Sequence, residues 1–203
     1  MSDKIEAHMK NNIIDDLIRK NNGTITSREV RSLGIPSVYL TYLVRKGSLQ
    51  RIGRGVYLSA TYFGDEFYAL QRQFQSIVFS HDTSLFFHGF GEKKPTMIDV
   101  CVYSGYNTHR FPIQIKTHYV SKKNHRLGVA TLQSPQGNEV TCYDLERTIC
   151  DIARTNKGVD IVIRNENLRS VFRNANINYQ KLYAYAEQLR CQRKIKLIIE
   201  WMS

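Results

Sequence analysis

Along the first twenty residues the apolar positions Ile5, Met9, Ile13, Ile14, Leu17 and Ile18 recur on an i, i+4 stripe, with Asp, Lys, Asn and Arg between them. That period predicts an amphipathic helix, and Asn21-Asn22-Gly23 supplies its stop. Thr26-Ser27-Arg28-Glu29 then has the form of a capping box, in which the threonine hydroxyl accepts from the amide three residues on and the glutamate reaches back. A short second helix follows through Val30 and Leu33 and closes at Gly34. Pro36 suits the first turn of a third helix, where its missing N–H costs nothing; the helix runs over residues 37–46 and ends at Gly47. Its period places Leu40, Leu43 and one edge of Tyr39 inward, with Ser37, Val38, Thr41, Tyr42 and Arg45 on the opposite face. Two β-prone stretches next flank Gly53-Arg54-Gly55, a sequence suited to a tight hairpin with positive φ. Helix, turn, helix and an arginine-tipped hairpin together predict a winged helix-turn-helix over residues 1–60.

The rest of the chain, 61–203, reads as a second domain. Residues 62–75 predict a linking helix, with Phe63, Phe67, Leu70 and Phe74 on one face. Short segments at 77–79, 98–103, 113–119, 129–132 and 139–142 alternate as strands of a small, mainly antiparallel sheet with one covered face. From Asp144 the pattern becomes helical through Leu145, Ile149 and Ile152, then Ile161, Leu168, Val171 and Phe172, then Leu182, Ala186 and Leu189, and finally Ile195, Ile198, Ile199 and Trp201. A sheet followed by helices is an α+β layout.

Composition sharpens this picture at two points. The 203 residues carry a formal charge of +11, which favours a polyanionic partner. Between Arg28 and Arg54, the basic residues Arg28, Arg31, Arg45, Lys46, Arg51 and Arg54 face a single acid, Glu29. Hydroxyls, a methyl-bearing surface and a guanidinium on the third helix are side chains that read base edges in a major groove. Arg54 is placed to enter the adjacent minor groove, and Arg51 to hold a phosphate. The four cysteines have no C-x-x-C spacing, so they read as small buried apolar residues in a reducing cytoplasm. The start of the chain lacks the apolar region of a signal peptide, and no apolar run approaches a membrane span.

Three runs resemble a known family. Gly34-Ile35-Pro36, Tyr39-Leu40, Leu43-Val44-Arg45-Lys46-Gly47 and Arg51-Ile52-Gly53-Arg54-Gly55-Val56-Tyr57 are similar to the N-terminal winged helix of the AbiEi antitoxins, from bacterial abortive-infection, type IV toxin–antitoxin operons. Ser80-His81-Asp82-Thr83-Ser84-Leu85, ending in His88-Gly89, resembles the family's second motif, with Ser84 where alanine is usual and Phe86 and Phe87 where smaller residues stand. Glu146-Arg147-Thr148-Ile149-Cys150-Asp151 resembles its third. The resemblance implies an N-terminal domain that binds inverted repeats in its own promoter and represses the operon. It also implies a C-terminal domain that opposes a nucleotidyltransferase toxin without a tight complex. Ser80, His81, Thr83, His88, Glu146, Arg147, Thr148 and Asp151 are then the antitoxin-domain motif.

On their own chemistry these motif residues read more plainly. Arg147 can pair with Asp151 one helical turn on, and His81 and His88, seven apart, lack a third ligand of obvious spacing. No cofactor, metal or catalytic residue is therefore expected. Asp99 with Gln114 and Lys116 offers one enzymatic alternative, a restriction-type nuclease in which carboxylate and amide hold a hard cation and lysine meets phosphate charge. A ligand-responsive transcription factor is another. The basic tail from Arg164 to Lys196 is consistent with further phosphate contacts or an acidic ligand.

Overall fold

Thr26 is extended, its Oγ1 accepts from the Glu29 amide at 3.2 Å, and the Glu29 carboxylate accepts from the Thr26 amide at 2.8 Å. The capping box thus forms where the sequence predicts it, satisfying amides that the first turn of a helix leaves unpaired. Thr26→Ala is expected to cost about 1 kcal/mol of stability, read from the midpoint of urea unfolding. The computed structural model describes residues 2–61, 64–91, 94–155 and 165–202, with side chains from residue 8 onward. Its elements are α1 (Ser2–Lys20), β1 (Thr24–Thr26), α2 (Ser27–Ser32), α3 (Val38–Arg45), β2 (Leu49–Gly53), β3 (Val56–Ser59), α4 (Glu66–Gln73), β4 (Val78–Phe79), α5 (His81–Phe87), β5 (Ile98–Tyr103), β6 (Ile115–Val120), α6 (Lys122–His125), β7 (Val129–Gln133), β8 (Glu139–Tyr143), α7 (Leu145–Arg154), α8 (Glu166–Asn174), α9 (Tyr179–Gln188) and α10 (Gln192–Met202). The α+β class follows as expected. No helix among the described residues is long and apolar enough to cross a membrane.

Two compact units divide the chain: Met1–Gln75 with Gln133–Val140, and Ser76–Leu132 with Thr141–Ser203. In the first, Ile14, Ile18, Ile25, Val30, Ile35, Leu40, Leu43, Leu49 and Tyr57 form the core. Met9 is exposed, so the buried stripe of α1 begins later than its period implies; the Ile5 side chain lies outside the described set. The sheet order is β1-β3-β2, all antiparallel. Strand β1 has no counterpart in the sequence reading, because three residues between Gly23 and a helix cap are too few to show alternation.

The units part at Gln75 rather than near Thr61, and Asp65 supplies the reason. Its carboxylate is fully buried and accepts from the Tyr68 amide at 3.0 Å, from Asn138 Nδ2 at 2.8 Å and from the Ser134 hydroxyl. Desolvating a carboxylate is tolerable only with such donors, so α4 and the 133–140 turn belong with the winged helix. The predicted linking helix is shorter than expected, and Phe63 falls outside the described residues.

In the second unit the five-stranded sheet has the order β6-β5-β4-β8-β7. It is mixed rather than mainly antiparallel: β4 and β5 run antiparallel, while β5 with β6 and β4 with β8 are parallel. Alternation reports which side chains are covered, not which way a neighbour runs. Strand β5 is covered on both faces, as a strand with parallel pairing tends to be. Helices α7 to α10 build the main core around Ile149, Leu168, Val171, Leu182, Ile195 and Ile198. Three of them start on side-chain caps from Asp144, Asn165 and Asn178. The four cysteines are buried thiols, and burial pushes Cys101 and Cys142 up to about 12. Trp201, expected on the inner face of the last helix, is exposed; Ile161 lies outside the described residues.

Candidate nucleic-acid interface and the polar seam of the second unit

Helix α3 turns Leu40 and Leu43 into the core and leaves Val38 at 73% and Tyr42 at 51% exposure. Thr41, Arg45 and Lys46 are exposed beside them, and Ser37 is half-buried just ahead of the helix. The face that the period assigns to solvent is therefore open. Tyr39 anchors the other edge, its hydroxyl donating to Asn11 Oδ1 at 2.9 Å. Gly47 ends the helix at φ +78, a left-handed conformation that glycine takes without strain.

The wing is the β2–β3 hairpin, with Gly53 opposite Val56 and Arg54-Gly55 as the turn. Gly55 has φ +73, as a two-residue hairpin turn requires. Its carbonyl accepts from the Ser27 amide at 2.8 Å, which ties the wing tip to the start of α2. Beside the same turn a Cβ on Gly53 would come within 2.3 Å of Gln73 Oε1, so a larger residue there would displace the end of that α4 side chain.

Between α2, the start of α3 and the wing lies a cleft of about 690 Å³. Arg28, Arg31, Ser37, Val38, Thr41, Arg51 and Arg54, all singled out in the sequence, line it. Tyr42, Arg45 and Lys46 are not on its wall; they share the exposed face of α3. Arg72 and Gln75, which sequence reasoning did not single out, line it as well. The Arg72 guanidinium pairs with Glu29 at 3.5 Å, stacks 4.6 Å over the Tyr68 ring and bonds its hydroxyl. Period alone puts Arg72 one turn after Tyr68, but not beside the capping box. Five arginines thus surround one concave surface, and its acid, Glu29, is engaged by Thr26 and Arg72.

In the second unit the two motifs meet. Ser84 Oγ donates to the Tyr143 carbonyl at 2.9 Å and lies 2.8 Å from Thr148 Oγ1, which itself bonds the Asp144 carbonyl. His88 Nε2 is 3.0 Å from that same Tyr143 carbonyl. Thr83 Oγ1 accepts from the Asp99 amide at 2.8 Å. Glu146 accepts from the Asn178 amide at 3.0 Å and pairs with Lys181 at 3.2 Å; burial raises its pKa, but these donors bring it below the usual carboxylate range. Arg147 is fully buried against Asp151 at 3.0 Å. Of the eight motif residues only His88 escapes full burial. They form a seam that joins α5, β5, β8 and α7.

His81 opens α5 with φ +48, uncommon for a residue with a Cβ. Its ring stacks on that of His118, centroids 3.6 Å apart, and its Nδ1 is 3.0 Å from Ser80 Oγ. Burial, then the neighbouring His118, holds it neutral, pushing its pKa down to about 3. His118 Nε2 lies 2.7 Å from Asp99 Oδ1, and Lys116 Nζ 3.3 Å from the same oxygen. Sequence reasoning paired Asp99 with Gln114 and Lys116. Of these, Lys116 does approach, but Gln114 is exposed ahead of β6 and gives only its carbonyl, to the Ile98 amide. Two imidazoles take the place of a second oxygen ligand, so the all-oxygen set suited to a magnesium-like ion is not assembled there.

Comparison with known proteins accords with the resemblance in the first unit. A family described as "Transcriptional regulator, AbiEi antitoxin" matches residues 12–60, which cover α1 from Asn12 through the wing. No curated protein matches the chain. The crystal structure of the RV2827C protein from Mycobacterium tuberculosis is similar over 93% of this chain and 80% of that one, with 11% sequence identity and a TM-score of 0.48.

Proposed function

We propose, from an N-terminal segment of the AbiEi antitoxin regulator type, that the protein binds inverted repeats ahead of its own gene and represses its operon. Its second unit, on this reading, opposes a nucleotidyltransferase toxin from the same operon without forming a tight complex. The observation that carries the DNA role is the cleft where Arg28, Arg31, Arg51, Arg54 and Arg72 converge beside the exposed face of α3. Helix α3 enters a major groove with Ser37, Val38, Thr41, Tyr42 and Arg45, and the wing sets Arg54 against the neighbouring groove. Lys46 and Arg31 hold phosphates. The motif seam contributes to antitoxicity by fixing the shape of the second unit rather than by touching the toxin, since almost all of it is buried.

A band-shift titration of the full chain on the DNA upstream of its gene, against scrambled duplex, tests the reading. Preference for the upstream DNA is expected, with half-sites one helical turn or a multiple apart; equal affinity for both would sink it. Arg45→Ala is expected to weaken binding to that site by about 1–3 kcal/mol and to relax one base position. The same loss on scrambled DNA would make Arg45 a backbone contact instead. For the second role, co-expression with the neighbouring toxin is expected to rescue growth even when α3 is disabled.

A further inference from the structure

We propose that His81, Asp99 and His118 form a binding site for a first-row divalent cation of the zinc class, open on one side to a pocket in the second unit. The three residues offer one ligand atom each, all within 4.8 Å of one another. Zinc–nitrogen bonds are about 2.0–2.1 Å and the ion is tetrahedral, so two of its ligands stand about 3.3–3.4 Å apart, and the three side chains draw together as it binds. The rings lie 17° from parallel, so their in-plane lone pairs meet at one ion only once the rings rotate out of the stack.

The donor chemistry selects the ion. Two imidazoles and a carboxylate suit zinc and its neighbours, whereas magnesium and calcium take oxygen. The surroundings are those of a held site. Ser80 Oγ engages His81 Nδ1, leaving Nε2 for an ion, and Thr83 bonds the Asp99 amide, while the half-exposed Lys116 ammonium, which competes for Asp99 Oδ1, is displaced as the ion enters. Such outer partners fix ligand rotamers at metal centres. The left-handed backbone at His81 points the same way, because strain in a well-packed protein persists where a function holds it. A pocket of about 300 Å³, with Thr117 and Arg154 on its wall, meets His81 and His118 and leaves room for water or an anion as the remaining ligand. None of these residues takes part in the proposed reading of DNA.

The test uses the full chain, freed of metal by a chelator and titrated with Zn²⁺ by calorimetry. One ion per chain is expected, with a rise in the thermal unfolding midpoint on binding. His81→Gly removes the imidazole and suits the positive φ, so it adds no backbone strain, and thermal unfolding of the metal-free variant checks that it is folded. His118→Gln keeps a donor for Asp99 but no imidazole. Each is expected to weaken Zn²⁺ binding by more than the roughly 10–100-fold typical of losing an outer partner. A Co²⁺ spectrum of the unaltered protein gives a second readout, expected to show ligand-field bands without thiolate charge transfer. No stoichiometric uptake, or uptake that both variants leave unchanged, overturns the site. A thiolate band overturns it too, by moving the ion to the adjacent His81, Cys101 and Asp151 group. Band shifts on operator DNA are read separately, so failure here leaves the repressor reading standing.

Discussion

Replacing Arg147 with alanine is expected to destabilise the second unit by about 3–5 kcal/mol, because removing one member of a buried ion pair strands the other. The arginine has no exposed surface. Its Nε donates to Asp151 Oδ2 at 3.0 Å and its Nη1 to the Leu127 carbonyl at 2.8 Å, while the guanidinium lies 4.1 Å over the Tyr143 ring. Among the described residues, alanine leaves the desolvated carboxylate paired with Arg154 alone, at 3.6 Å. Lysine does not rescue, since an ammonium cannot reproduce the planar fork. The double change Arg147→Met with Asp151→Leu is expected to recover much of the loss, as apolar replacement of buried pairs often does. Urea unfolding of the three variants checks this; a loss below about 1 kcal/mol for Arg147→Ala would mean the pair is not integral to the fold.

The second large effect concerns the cleft. The triple change Arg28→Ala, Arg31→Ala, Arg51→Ala is expected to weaken DNA binding by about a hundredfold near 0.15 M salt and to flatten the logarithmic salt dependence by about 2.7, that is 0.9 for each phosphate no longer neutralised. The loss falls alike on operator and scrambled duplex, unlike that of Arg45→Ala. A salt slope unchanged by the triple variant would show that the duplex lies elsewhere. The separation matters because both kinds of residue sit on one unit: on the proposed reading, arginines converging on the cleft set affinity, and the exposed face of α3 sets sequence.

Much of this was legible along the chain. Caps and periods are local, so the capping box, the two faces of α3, the wing turn and the pairing of Arg147 with Asp151 appear in order in the sequence. What was not legible is what distant strands bring together. Residues 114, 116 and 118 alternate to one side of β6, yet only the parallel register, Asp99 beside Lys116, decides that His118 rather than Gln114 meets the carboxylate. Arg72 was missed for a similar reason, since its helix packs beside the capping box across more than forty residues of chain. Strand β1 and the exposed Met9 mark the ends of patterns, where a few residues carry too little period to read.

The way Asp65 is satisfied has a bearing on how the protein is made. Its carboxylate draws donors from Ser134 and Asn138, residues synthesised long after the winged helix. A nascent chain that has emitted α4 therefore holds a desolvated acid without two of its hydrogen bonds, each worth about 1–3 kcal/mol when left unmade. The winged-helix unit gains its full stability only once residue 140 has cleared the ribosome. Products of premature termination are thus left with a weakened winged helix, and the repression proposed above would be confined to chains that have also begun to carry the second unit.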